Sequence, residues 1–231
     1  MTLWGNSTAE KAFALNRTFR DHLSGADWEG ILGSAKVRRL RKGGQLMRQG
    51  AEGDTVSFLK EGTVRIDQDG KLIVLRHSGD LLGDMAVFGR RRLRTATVTA
   101  YTDCEVVTLA GERFRSRAFQ DAYGPAIWSY VIGRQWETQV LSRSDDNVAR
   151  LAWLLAPLLD NEELAVSGPD GVHLRVAQKD LADCLAIGPK LLRQLTAQPP
   201  FGGMPEGRRK LTLVTDPEGL LAAAARLGGL P

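Results

Sequence analysis

The sequence predicts an α+β protein: an antiparallel β-roll at the front, a long helix after it, and a winged helix-turn-helix at the C-terminal end. Three features carry this expectation. Between residues 37 and 109 short β-rich runs alternate with glycines, the texture of closely spaced turns in a roll or sandwich. After Gly111 the apolar residues recur at helical spacing. Over residues 178–195 two short amphipathic stretches flank a tight turn, and a hairpin-like segment follows.

Taken in order, Ser7 followed by Glu10 gives a capping-box start, and Phe13, Leu15, Phe19 and Leu23 carry a short amphipathic helix to about residue 23. A second short helix is expected over 28–36. The β-rich runs are 56–59, 63–67, 72–76, 95–100 and 104–109, with Gly43, Gly44, Gly50, Gly53, Gly62, Gly70, Gly79 and Gly83 between or beside them. Beyond Gly111, Ile127, Val131, Arg134, Thr138 and Leu141 recur at alternating spacings of four and three. Such a heptad-like seam fits a helix over roughly 122–143 that pairs with its twin across a two-fold axis, although it is short and has two polar members, and a surface helix is the alternative. Another helix is expected over 146–159, capped by Asp145 or Asp146, then a loop over 161–171. Alanines 222–225 lie in a final helix. The expected divisions are 1–120 for the roll with its N-terminal helices, 121–144 for the pairing helix and 145–231 for the winged helix-turn-helix.

The length of 231 residues leaves one or two domains as the expectation from bulk properties. With 43% hydrophobic and 25% charged residues, the chain is ordinary for a globular protein and excludes wholesale disorder. No run approaches the roughly 18 apolar residues of a membrane span, and the first residues lack the basic start and apolar core of a signal peptide. The expectation is a cytoplasmic protein with no membrane partner. Cys104 and Cys184 fall in segments that read as separate domains, so they are expected as thiols, too few for an iron–sulfur cluster. The net charge of +4 is modest, but its clustering is informative. Arg38, Arg39, Arg41 and Lys42 form one group, expected in a solvated loop. Arg90, Arg91, Arg92 and Arg94 form a second and Arg208, Arg209 and Lys210 a third.

The most informative segment is Gly79-Asp80-Leu81-Leu82-Gly83-Asp84-Met85-Ala86-Val87-Phe88, followed by Arg94-Thr95-Ala96-Thr97. Glycine lets backbone amides approach an anion closely, a short helical turn aims further N–H groups at it, and an arginine clamps a phosphate in bidentate fashion. These residues resemble the phosphate-binding cassette of cyclic-nucleotide-binding domains, in which Gly-Glu-x-Ala precedes Arg-(Ser/Thr)-Ala by about ten residues. Gly44-Gln45-Leu46-Met47-Arg48-Gln49-Gly50-Ala51-Glu52-Gly53-Asp54 and Phe58-Leu59-Lys60-Glu61-Gly62-Thr63-Val64 resemble earlier hairpins of the same domain. With the helices that follow, the pattern resembles the CRP/FNR superfamily of bacterial transcription regulators over nearly the whole chain.

The resemblance implies a cyclic-nucleotide-binding-like jelly roll with a small-molecule effector, cAMP or cGMP, and no other cofactor. Gly83, Met85 and Ala86 would offer backbone amides, Arg94 would hold the cyclic phosphate and Thr95 would add a hydroxyl. Asp84 stands where the cassette carries glutamate. It retains a carboxylate one methylene shorter, which leaves a shifted ribose, a different ligand and a roll that binds nothing as open alternatives. On the long helix Arg134 and Thr138, with Gln135 and Ser142 beside them, are the polar residues within reach of a ligand's base. Arg90, Arg91 and Arg92 are expected in an exposed loop. His77 resembles the heme ligand of one branch of relatives, but a lone histidine in a strand is more simply a packing residue.

Within 178–195, Leu181, Ala182 and Leu185 supply one helix's inner face, residues 186–188 the turn, and Leu192 and Leu195 the buried face of a second helix that Pro189 begins. The candidate DNA contacts are Gln178 and Lys179 on the first helix, Lys190, Arg193 and Gln194 on the second, and Arg208, Arg209 and Lys210 on the wing. Gly188-Pro189-Lys190-Leu191-Leu192-Arg193-Gln194 departs from the superfamily's usual Ser-Arg-Glu-Thr-Val-Ser-Arg, so the operator is expected to differ. The family resemblance implies a homodimer on double-stranded DNA with RNA polymerase as a partner. The competing class is a ligand-binding or adaptor protein of the same fold that no longer reads DNA. His22, His77 and His173 lie in unrelated segments, and no metal-spaced cluster, nucleophile elbow or Walker motif appears, so no enzyme is expected.

Overall fold

The computed structural model describes residues 17–203 and 212–228. Two compact units divide them, Arg17–Arg134 and the residues from Gln135 on, with the boundary inside the longest helix.

The first unit opens on a short 3-10 turn, Phe19–His22, capped by Thr18. Thr18 is extended, so the expected helix does not run continuously to residue 23; Asp21 accepts from both the Thr18 N–H and its hydroxyl and starts a new turn there. The part of that helix before residue 17, with Ser7 and Glu10, lies outside the described residues. Helix α1 (Gly25–Leu32) begins at Ser24, whose hydroxyl accepts from the Asp27 N–H, and it starts and ends earlier than expected. Strands β1 (Val37–Leu40), β2 (Gln45–Met47), β3 (Thr55–Glu61), β4 (Thr63–Gln68), β5 (Lys71–His77) and β6 (Leu81–Leu82) follow. The short helix α2 (Asp84–Phe88), strands β7 (Thr97–Ala100) and β8 (Cys104–Ala110), helix α3 (Gly111–Arg115) and the long helix α4 (Arg117–Arg143) come next.

Two antiparallel four-stranded sheets build the roll, in the orders β1-β8-β3-β6 and β2-β7-β4-β5. Arg38 and Arg39 therefore sit on an edge strand, not in the loop expected of them; Arg39 pairs with Glu105 of β8 at 2.8 Å. Edge positions tolerate such charge because it deters pairing with other chains. Strand β3 is buried on both faces. Val56 and Phe58 join a core with Phe19, Trp28, Ile31, Phe114, Ile127 and Tyr130, whereas Leu59 joins Leu40, Met47, Val64, Leu82, Val98 and Val106 in another. This explains why β3 reads as a near-continuous apolar run where a one-sided strand would alternate.

The seam expected to pair two long helices is overturned in its first half. Ile127 is fully buried and Val131 packs against the same core, within one chain. Heptad spacing marks a buried stripe without saying what buries it, and here the roll does. The large exposed apolar residues of α4 are Trp128 and Ile132, each one position along from these two, and Trp136.

In the second unit, helix α5 (Asn147–Leu155), capped by Asp146, leads into a 3-10 turn at Ala156–Leu158 where Pro157 falls. Strands β9 (Ala165–Gly168) and β10 (Gly171–Leu174) form a hairpin in place of the loop expected over 161–171. Their Gly, Ser and exposed polar residues hide the pattern. Helix α6 (Gln178–Leu185), helix α7 (Pro189–Thr196), strand β11 (Thr212–Val214) and helix α8 (Pro217–Gly228) complete the unit. The sheet order is β11-β10-β9, and Phe201 bridges to Val214. Val140, Ala149, Trp153 and Leu227 form a core cluster, and Arg226 pairs with Asp146 at 2.9 Å.

Candidate ligand site and nucleic-acid interface

The cassette is built where β6 meets α2. Gly83 adopts φ +85° as the N-cap residue of α2, a conformation in which a side chain is strained. It is needed for a second reason: a Cβ there would collide with the Arg94 guanidinium and with Met47. Arg94 enters from the turn before β7, only 8% exposed, and donates from Nη1 to the Gly83 carbonyl at 3.0 Å and from Nη2 to the Thr55 hydroxyl at 2.8 Å. Gly53 packs flat against the same guanidinium and would collide with it if it carried a Cβ. Burial pushes the Arg94 pKa down, while the nearby charges of Asp54 and Asp84 hold it up. No carboxylate lies within ion-pair distance of Arg94 among the described residues. A buried cation held only by neutral acceptors has unspent capacity for an anion.

Asp84 is the first residue of α2, and burial pushes its carboxyl above the ordinary carboxylate value, against the N–H groups of Met85 and Asp84 and the charges of Arg76 and Arg134. Ala86 is buried beneath the cassette, whereas the Met85 side chain and Thr95 are exposed. Strand β7 starts two residues later than the expected 95, which leaves Thr95 in the turn directly after Arg94. Arg90, Arg91 and Arg92 lie in the exposed loop expected of them.

The structure thus brings Gly83, Asp84 and Arg94 together and adds Gly53 and Thr55, which the sequence did not single out. A glycine three residues past Gly50 was the available signal. Asp54 extends the site, since Arg115 of α3 donates to it at 2.7 Å and also to the Val87 carbonyl at the end of α2.

Arg134 has a role that the sequence did not assign to it. Its Nη2 pairs with the buried Asp80 at 2.6 Å and donates to the Arg17 carbonyl at 3.0 Å, and its guanidinium lies 4.8 Å from the Tyr130 ring centre. Thr138 is exposed and belongs to the second unit.

The second unit carries a helix-turn-helix. Leu181, Ala182 and Leu185 face inward as expected, and Ala186 turns the chain with φ +54°. Pro189 opens α7, whose buried residues are Leu192 and Thr196. Leu195 is only partly buried, and Thr196 fills the expected inner position, its hydroxyl donating to the Leu192 carbonyl. Lys190, Arg193 and Gln194 are all exposed. Gln178 is half-buried at the start of α6, and Lys179 pairs with Asp183 at 3.1 Å. Arg208, Arg209 and Lys210 lie outside the described residues. The strand that follows them, β11, is in place against β10.

Comparison with known proteins identifies the first of these two parts and finds relatives over most of the chain. The family model of the cyclic nucleotide-binding domain matches residues 37–121. The chain is 25% identical over 225 residues to the CRP-like protein Clp of Xanthomonas campestris pv. campestris (strain B100), covering 91% of this chain and 97% of that protein. It is 25% identical over 165 residues to the cAMP-activated global transcriptional regulator CRP of Escherichia coli O157:H7, covering 66% of this chain and 77% of that one. Over most of its length the chain is thus similar to regulators of the CRP type. A solved structure of the c-di-GMP-responsive global regulator CLP of Xanthomonas campestris shares the fold with a TM-score of 0.60 at 20% identity, covering 83% of this chain and 99% of that one. Among the described residues, no helix is long and apolar enough to cross a membrane.

Proposed function

We propose that this chain is a homodimeric transcription regulator of the CRP/FNR superfamily that reads double-stranded DNA through α7 and whose operator affinity is set by an anionic small molecule, of the cyclic-nucleotide class, held in the roll. The observation that carries the ligand half is Arg94: buried, with neutral acceptors only, between two glycines that leave it room. The cAMP and c-di-GMP in the names of the two relatives are both cyclic phosphodiesters, and a phosphodiester is what this guanidinium suits. Gly83, Asp84, Met85, Ala86 and Thr95 complete the ligand contacts, and RNA polymerase is the partner a DNA-bound regulator would meet.

The DNA half rests on the exposed face of α7. Lys190 and Arg193 suit phosphate or guanine and Gln194 suits adenine, while Leu192 and Thr196 anchor the opposite face. The dimer rests on Trp128 and Ile132, both more than half exposed, together with Phe88, whose ring stacks on Trp128 at 6.2 Å, and Met85. A patch of this size is costly in water unless something covers it. A second copy covering it would place the partner beside the cassette helix α2, so that ligand and dimer geometry are linked. Calorimetry with cAMP, cGMP and c-di-GMP, on wild type and Arg94→Ala, tests the ligand half. Binding of at least one that Arg94→Ala abolishes supports it, and binding of none of the three would oppose it.

A further inference from the structure

The exposed face of α7 carries one residue that charge and hydrogen bonding do not explain. Leu191 is 37% exposed and lies next to Lys190 and three residues before Gln194. The same helix has already buried an apolar side chain, Leu192, in the fold. The first turn offers little else with which to read DNA. Gly188 has no side chain, and Pro189 has no N–H and no polar group. Lys190 is the first side chain on the helix able to donate a hydrogen bond. At 100° per residue, Leu191 flanks the face centred on Lys190 and Gln194, with Arg193 on the other side.

We infer that Leu191 is a specificity-determining residue that reads the 5-methyl group of a thymine in the major groove. Each base pair presents a distinct pattern in that groove, and the thymine methyl is its apolar element. Beside it, a side-chain amide such as Gln194 pairs in bidentate fashion with adenine N6 and N7. The operator half-site is therefore read as an A·T-containing step by Leu191 and Gln194, with Lys190 and Arg193 on guanine or phosphate. This inference rests on the reading that α7 enters the major groove.

The test removes the methyl alone. Bound genomic fragments define the operator, and each thymine in a half-site is then replaced in turn by deoxyuridine. For wild type, uracil at one or two positions is expected to weaken binding about fourfold, the value of burying a single carbon group. Leu191→Ala and Leu191→Gln are expected to bind the thymine operator with a similar loss and to be indifferent to uracil at those positions. Ala suits an exposed helix position, and Gln keeps the length of the side chain while removing its apolar end, so loss of fold in one variant leaves the other to decide. An operator bound by wild type with equal affinity whichever thymine is replaced would overturn the inference alone. So would a Leu191 variant that keeps the wild-type sensitivity to uracil. A protein that prefers no sequence over a scrambled duplex would overturn both the inference and the reading of α7 beneath it.

Discussion

Asp80 and Arg134 form an ion pair of 2.6 Å between the turn that feeds the cassette and the middle of the long helix, 54 positions apart in sequence. Asp80 is 1% exposed and also accepts from the Tyr130 hydroxyl at 3.0 Å and from the His77 N–H at 2.9 Å. Three donors from two elements thus converge on one carboxylate, three residues before Gly83. Removing it takes the ion-pair carboxylate away from a largely buried guanidinium. Asp80→Ala is expected to destabilise the protein by about 3–5 kcal/mol. Urea unfolding measures this, and a loss below about 1 kcal/mol would show that Arg134 finds an equivalent partner.

Trp128 and Ile132 form an exposed apolar face beside the buried stripe of Ile127 and Val131. Trp128→Glu and Ile132→Glu each put a charge into the expected interface, and either should raise the dimer dissociation constant at least roughly 100-fold. Ile127→Glu, by contrast, should unfold the roll. Sedimentation across a concentration series distinguishes them. Glutamate at Trp128 or Ile132 with no change in association would place the interface elsewhere.

The packing of Ile127 and Val131 against the roll marks how far the sequence could be read. Strands β3, β4, β5, β7 and β8, the cassette and the helix-turn-helix were legible because each has a local signature: glycine-bounded β-branched runs, Gly83 with Arg94, and paired apolar stripes about a turn. The buried stripe of α4 was legible too, but not its partner, since Ile127 and Val131 have the same spacing against a roll as against a second helix. Asp80 stood inside the quoted motif without a role because its partner is remote in sequence. Strand β1 exposes three of its four residues and β9 has no alternating apolar side, so neither shows a period-2 pattern.

Gly53 gives a prediction with no charge change. Gly53→Ala should drive its Cβ into Arg94 and move the guanidinium off Gly83 and Thr55. Affinity for whichever cyclic nucleotide wild type binds should fall roughly tenfold, comparable to losing one charge-assisted hydrogen bond. Calorimetry on the variant checks this, and unchanged affinity would mean the ligand does not depend on Arg94.

Asp84 makes the site sensitive to pH. Its carboxyl is raised in the folded chain, chiefly by burial, so its charge is an unrelieved cost above that pKa and the cost falls away as pH drops through it. An anion docked at Arg94 repels the same charge. Ligand binding should therefore raise the Asp84 pKa further and tighten as pH falls through it. Asp84→Asn should flatten the profile. The opposite slope in calorimetry would mean that ionised Asp84 accepts a hydrogen bond from the ligand.

The central claim is that the exposed face of α7 reads DNA, and fluorescence anisotropy on an operator and a scrambled duplex across a salt series tests it most directly. Wild type should prefer the operator. Arg193→Ala or Gln194→Ala should lose about 1–3 kcal/mol on the operator and relax base preference while leaving scrambled binding nearly intact. Folded, dimeric variants that bind both duplexes as wild type does would contradict the account and leave a ligand-binding protein that does not read DNA through this helix.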